Sequence, residues 1–133
     1  MDAPAFENLD LACAKVGKGI AEKPTDELHK VVTDALSVLE DQGPYALFLF
    51  LKTHSKKEMA KNVSQKLHDF LKENPKQHHL LPGNGDLLPA LQEMAKDLDN
   101  LLLARDLIRQ ALVYARYHAR LKNESKDGSE VEL

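Results

Sequence analysis

Residues 38–52 read VLEDQGPYALFLFLK, and the fold turns on Gln42-Gly43-Pro44. Glycine tolerates the left-handed backbone conformation found just past a helix end. Proline fits the first turn of a new helix, where its missing N–H costs nothing. The tripeptide therefore predicts one helix stopping and another starting within three residues. The seven residues that follow, Tyr45 to Leu51, are apolar without a break. A short apolar run with Phe and Tyr also suits a core strand. Pro44 at the helix-start position and the helical patterns on both sides decide for a helix, from Pro44 to about Thr53. A helix apolar on every side is expected to be buried. It is far too short to cross a bilayer.

Upstream, Phe6, Leu9, Cys13, Val16 and Ile20 recur at alternating spacings of three and four. That is one apolar helical face over about Ala5–Glu22. Gly17 and Gly19 either weaken its last turn or admit another backbone close by. Pro24-Thr25-Asp26-Glu27 marks the next helix start, with Thr25 as cap and two acids in the first turn. Leu28, Val31, Val32, Ala35, Leu36 and Leu39 supply its buried face.

Downstream, Ser55-Lys56-Lys57-Glu58 fits a capping box. It opens a helix to about Glu73, with an apolar stripe of Met59, Val63, Leu67, Phe70 and Leu71. Asn74-Pro75 stops it. Residues 75–86, PKQHHLLPGNGD, read as a long contact loop. Asp86 can cap a short helix from Leu87 to about Lys96. A brief joint at Asp97–Asn100 leads into a last helix over about Leu101–Leu121. That helix buries Leu101, Ala104, Ile108, Ala111, Leu112, Ala115 and Ala119.

The expectation is an all-α, single-domain bundle of about six helices, with a central apolar helix at about 44–53 and a long C-terminal helix. Residues 1–4 are expected to fray, 5–122 to form the helical domain, and 123–133 to be a disordered acidic tail. A chain of 133 residues can bury one sizeable core without disulfides or metal. Cys13 is its sole cysteine, which excludes a disulfide framework and fits a reducing, cytoplasmic compartment. MDAPAFENLD shows no secretory signal.

Charge is segregated. Residues 1–51 hold four lysines against nine acids; residues 52–122 hold thirteen Lys and Arg against eight. All four arginines, Arg105, Arg109, Arg116 and Arg120, lie on the last helix. At about 100° per residue they share an arc of about 60° beside the apolar face. Lys57, Lys61, His68 and Lys72 repeat the same relative spacing on the capped helix. A positive stripe about 20 Å long matches several consecutive nucleic-acid phosphates. Arginine in particular forks onto phosphate. A solvated face or a set of ion pairs would show the same pattern. Tyr114 and Tyr117 on the same helix can stack on bases or pack in an interface.

The histidines form no metal-binding motif, and Cys13 reads as a small core residue. No nucleophile elbow, phosphate-binding glycine loop or paired-carboxylate spacing is present. No catalytic activity, metal or cofactor is therefore expected.

The chain resembles the small all-helical subunit of the type III-B (Cmr) CRISPR RNA-targeting effector complex. The resemblance rests on the amphipathic helix Ala35–Asp41 joined across Gly43 to Ala46–Leu51, on Leu67-His68-Asp69-Phe70-Leu71, and on the Ala-, Leu- and Arg-rich helix from Leu103 to Leu121. It covers roughly residues 5–122, as a pattern of helix order and length. Pro44 departs from the Leu that usually follows the glycine. The resemblance implies a non-catalytic structural subunit whose copies stack into a filament beside the backbone subunits. It also implies contact with guide and target RNA, for which Lys57, Lys61, Lys72, Arg105, Arg109, Arg116 and Arg120 are the candidate residues. Its partners would be the backbone and large subunits, neighbouring copies of itself and the two RNAs, with no membrane. The acidic N-terminal half would suit head-to-tail stacking on a basic neighbour. The competing expectation is a helical protein–protein adaptor with no direct nucleic-acid role.

Overall fold

Gly43 has φ +95° and ψ 179°, in a backbone region open essentially to glycine alone. Its N–H donates to the Leu39 carbonyl, closing one helix. Its own carbonyl accepts from Leu47 N, opening the next. The break is thus made within one residue, and its ψ differs from the left-handed helical value expected at a helix end.

The computed structural model describes residues 8–128, with side chains described to Leu121. Six helices follow in order: α1 (Leu9–Ile20), α2 (Asp26–Gln42), α3 (Pro44–Lys52), α4 (Lys57–Glu73), α5 (Leu87–Met94) and α6 (Leu98–Gly128). No strand occurs among the described residues. The expected frayed segment 1–4, the expected helix start at Ala5 with Phe6, and residues 129–133 of the tail expected at 123–133 lie outside the described residues.

α3 packs on α2, α4, α5 and α6, which makes it the centre of the bundle. Leu47, Phe48 and Leu51 are almost fully buried, each side chain contributing about 1.5–3 kcal/mol. The expectation of burial all round is corrected on the opposite side. There Tyr45 and Leu49 are 36% and 39% exposed. Tyr45 keeps its hydroxyl at the surface, 3.4 Å from Gln92 Nε2.

α1 lies against α6, and Gly17 is where they touch. A Cβ there would fall 2.6 Å from Tyr114 Cβ and 2.8 Å from the Ala111 carbonyl oxygen. Of the two roles open to Gly17, close backbone approach is the one found. Ala111, Ala115 and Ala119 are small on the buried face of α6 and complete the seam.

The caps divide. Thr25 Oγ1 accepts from Leu28 N at 3.0 Å, as expected. The capping box at Ser55 is not formed. The His54 ring nitrogen Nδ1 accepts the Lys56 N–H at 2.9 Å, and α4 starts at Lys57, one residue late. Glu58 then sits one position too early in the helix to reach back. A joint before α6 is present but falls at residues 95–97 rather than Asp97–Asn100: Asp97 Oδ1 accepts from Asn100 N, and α6 starts at Leu98 instead of Leu101. α6 runs on past Leu121 to Gly128, since no glycine or proline intervenes to stop it. The 75–86 loop is anchored by Leu80 and Leu81, both buried, with Leu81 N donating to the Leu71 carbonyl.

Candidate nucleic-acid interface

The arginine arc of α6 faces the C-terminal part of α2. Arg109 Nε donates to Glu40 Oε2, and Arg109 Nη2 lies 3.3 Å from Asp106. Arg105 Nη2 donates to the Glu40 carbonyl at 3.2 Å and lies 3.7 Å from its carboxylate. One glutamate thus holds two of the four guanidinium groups. Arg116 lines a shallow groove with Thr33, Leu36, Ser37 and Val113, and Arg109, Glu40 and Asp41 line the same groove. Neither Arg116 nor the exposed Arg120 has an ion-pair partner among the described residues.

The lysine stripe of α4 divides in the same way. Lys72 is largely covered and lies 3.3 Å from Asp69. Beside it, desolvation and the Lys72 ammonium push the His68 pKa down against the pull of Asp69. The shift disfavours charge on His68 and so weakens its part in the stripe. Lys57 and Lys61 are exposed and unpaired among the described residues. They share an open groove of about 730 Å³ with Lys52, Leu51, Leu87, Leu88, Pro89 and Asp86. Lys52 is a member the sequence pattern hides. It ends the apolar helix and belongs to neither stripe, although it stands only five residues before Lys57.

The helix directions set where these charges lie along the bundle. Cys13 meets Leu107 and Gly17 meets Ala111 and Ala115, so α1 and α6 run the same way. Gly19 stands by Lys66, whereas Asn8 and Leu11 share a groove with Glu73 and Asn74, so α4 runs opposite to α1. Glu40 meets Arg105 while Thr33 and Ser37 sit with Val113 and Arg116, so α2 runs opposite to α6. Lys56 Nζ bonds Glu27 at 2.7 Å, joining the starts of α2 and α4. The paired Lys72 and Arg105 therefore lie toward one end of the bundle, while Arg109 shares a groove with the unpaired Arg116. The unpaired Lys57, Lys61, Arg116 and Arg120 gather toward the other. The two stripes do not form one continuous surface, since α4 joins the bundle through α3 and α1 rather than α6.

Tyr114 is unavailable for stacking. Its hydroxyl donates to Asp10 Oδ1 at 2.7 Å, and that bond, with desolvation, raises its pKa. Tyr117 is 59% exposed, in the half of α6 that carries Arg116 and Arg120. Cys13 is buried, its Sγ 3.5 Å from the Leu107 carbonyl. Burial first, and the Asp10 carboxylate second, push its thiol up to about 11.

No group of three or more His, Cys, Asp or Glu side chains suited to a metal ion occurs among the described residues. No described helix is long and apolar enough to cross a membrane. No protein-family model, curated protein or solved structure matches the chain.

Proposed function

We propose that this protein is a non-catalytic structural subunit of an RNA-guided CRISPR effector complex. It contacts the phosphates of guide and target RNA and packs with further copies of itself beside the backbone and large subunits. One observation carries the RNA contact: Lys57, Lys61, Arg116 and Arg120 stand without ion-pair partners among the described residues toward one end of the bundle. Unpaired cations reach phosphate without first breaking an internal ion pair, and they release condensed counterions from the RNA. The helix order, the glycine break before an apolar helix and the long Arg-bearing last helix support the effector-complex reading, through the resemblance stated above.

The test is RNA binding by the full chain across a salt series. A log–log slope of several units is expected, falling when Lys57, Lys61, Arg116 and Arg120 are changed to Gln. Co-purification with backbone and large subunits encoded beside the gene tests the assembly. Absence of RNA binding at low salt, together with co-purification, favours a helical adaptor instead. The exposed Tyr45 and Leu49 on α3, with Leu98 and Leu102 on α6, are the observation on that side.

A further inference from the structure

Resting on that reading of the protein as an RNA-contacting subunit, we propose that the groove between α3, α4 and α5 is a binding site for single-stranded RNA, and that it discriminates against duplex. Three lysines enter one concavity from two helices: Lys52 from the last turn of α3, Lys57 and Lys61 from the first turns of α4. Among the described residues none of the three has an ion-pair partner. Asp86 is the one carboxylate on the lining, so the groove is net cationic.

Beyond Asp86 the wall formed by the first turn of α5 is apolar. Leu87 and Leu88 are half-buried and Pro89 is exposed. A groove with cations along one side and hydrocarbon along the other matches a polyanion that carries flat apolar faces. A nucleotide strand has that character, repeating a phosphate and a flat base at every residue; a purely acidic peptide such as poly-glutamate presents charge without the faces. Lys57 and Lys61 stand one helical turn apart, about 5–6 Å between Cβ atoms. That separation suits neighbouring phosphates on one strand.

Strand state follows from shape. The volume of about 730 Å³ has room for about one or two nucleotides and is walled on two sides. An unpaired strand can splay a base out against Leu88 and Pro89 while its phosphates meet the lysines. In an A-form duplex the bases are stacked inside a convex cylinder. Such a cylinder bridges the rim and reaches the lysines only at their tips, losing the apolar wall.

Fluorescence anisotropy of the full chain with a short labelled RNA, alone and annealed to its complement, tests this at matched salt. Single strand is expected to bind at least about tenfold more tightly than duplex. The Lys52→Gln/Lys57→Gln/Lys61→Gln variant should weaken single-strand binding by at least about tenfold and reduce its salt slope by about 2. Leu88→Asp, with all three lysines kept, should also weaken single strand more than duplex. Equal or tighter duplex binding overturns the strand preference. An unchanged single-strand affinity in the triple-lysine variant places RNA elsewhere and removes the groove, while the RNA-contacting role stands. A poly-glutamate peptide bound in the groove by a chain that binds no RNA overturns both.

Discussion

The Cβ of Tyr114 occupies the space that a side chain on Gly17 would need, 2.6 Å from its ideal position. Backbone atoms of Ala111 and Ala115 close the same space at 2.8 Å, so no side-chain rotation can relieve the clash. Gly17→Ala must therefore push α1 away from α6 and should cost about 1–3 kcal/mol. Gly19 is the internal control. A Cβ there meets only Lys66 Cδ at 3.8 Å, an ordinary contact. Gly19→Ala should be neutral or stabilising by up to about 1 kcal/mol, through lost freedom of the unfolded chain. Thermal melts of the two variants check the pair, and equal melting temperatures would remove the close-approach role of Gly17.

Cys13 should be chemically silent in the folded protein. Its thiol, pushed up to about 11, holds about a hundredfold less thiolate at pH 8 than one at the ordinary value of 9.0. Burial excludes the reagent as well. Alkylation followed by mass spectrometry should find Cys13 unmodified in native protein and fully modified in denaturant. For an acid whose folded pKa is raised, the sign is fixed. Folding retains its advantage below the ordinary value and loses it as pH rises from 9 towards 11. Cys13→Ala should flatten that alkaline loss.

How much was legible in the chain depends on distance along it. The Gly43-Pro44 break, the Thr25 cap and the buried face of α6 from Ala104 onward are written within a few residues, and they are where the pattern places them, while the α5–α6 joint comes three residues early. Pairing across the fold is not written that way. Arg105 and Arg109 look like open cations on a helical wheel, and the residue that holds them, Glu40, lies 65 and 69 positions away. The arginine arc is therefore real as geometry, while half of its charge is already spent inside the protein. Lys52 escapes for the opposite reason: only the turn from α3 to α4 brings it beside Lys57. The missed start of α4 is also a matter of context, because His54 takes the Lys56 N–H and shifts the helix start by one residue.

The loop after α4 was legible as a loop but not as an anchored one. Leu81 is 2% exposed and its N–H donates to the Leu71 carbonyl. Leu81→Ala should cost about 2–5 kcal/mol, as for other core leucines. Gly83→Ala, where a Cβ meets open space, should stay within about 0.5 kcal/mol. Gly85 has φ +100°, so Gly85→Ala should be the more costly of the two glycine changes. Chemical denaturation of the three variants orders them. A near-neutral Leu81→Ala would show the loop to be unanchored.

His68 sets an acid limb on stability. Its pKa is lowered from 6.5 by desolvation, then by Lys72, against Asp69, so the folded protein favours the neutral ring. A base held below its ordinary value adds stability above pH 6.5 that is lost as pH falls through the folded pKa. His68→Gln should flatten the fall in melting temperature between pH 7.5 and 5 relative to the unaltered chain, the window around the ordinary histidine value. Parallel curves for the two proteins would show that His68 contributes no acid sensitivity.

Glu40 is the residue through which the proposed RNA contact can be increased rather than removed. Glu40→Gln keeps the size of the side chain and withdraws the charge that occupies Arg105 and Arg109. Both arginines and the carboxylate are a third or more exposed, so the stability cost should be under about 1 kcal/mol. Arg105 keeps its bond to the residue-40 main-chain carbonyl and Arg109 keeps Asp106, but both lose the opposing Glu40 charge on the flank of α6 that already carries Arg116. The proposal then requires tighter RNA binding and a log–log salt slope steeper by about 1. Arg109→Gln in the unaltered background supplies the converse, because a guanidinium already held by Glu40 and Asp106 has little left to lose. It should leave RNA affinity within about twofold, whereas Arg116→Gln should reduce it several-fold. If Arg109→Gln weakens RNA binding as much as Arg116→Gln does, the Glu40 pair opens to admit RNA. The division of the arginine arc into spent and available halves would then be wrong.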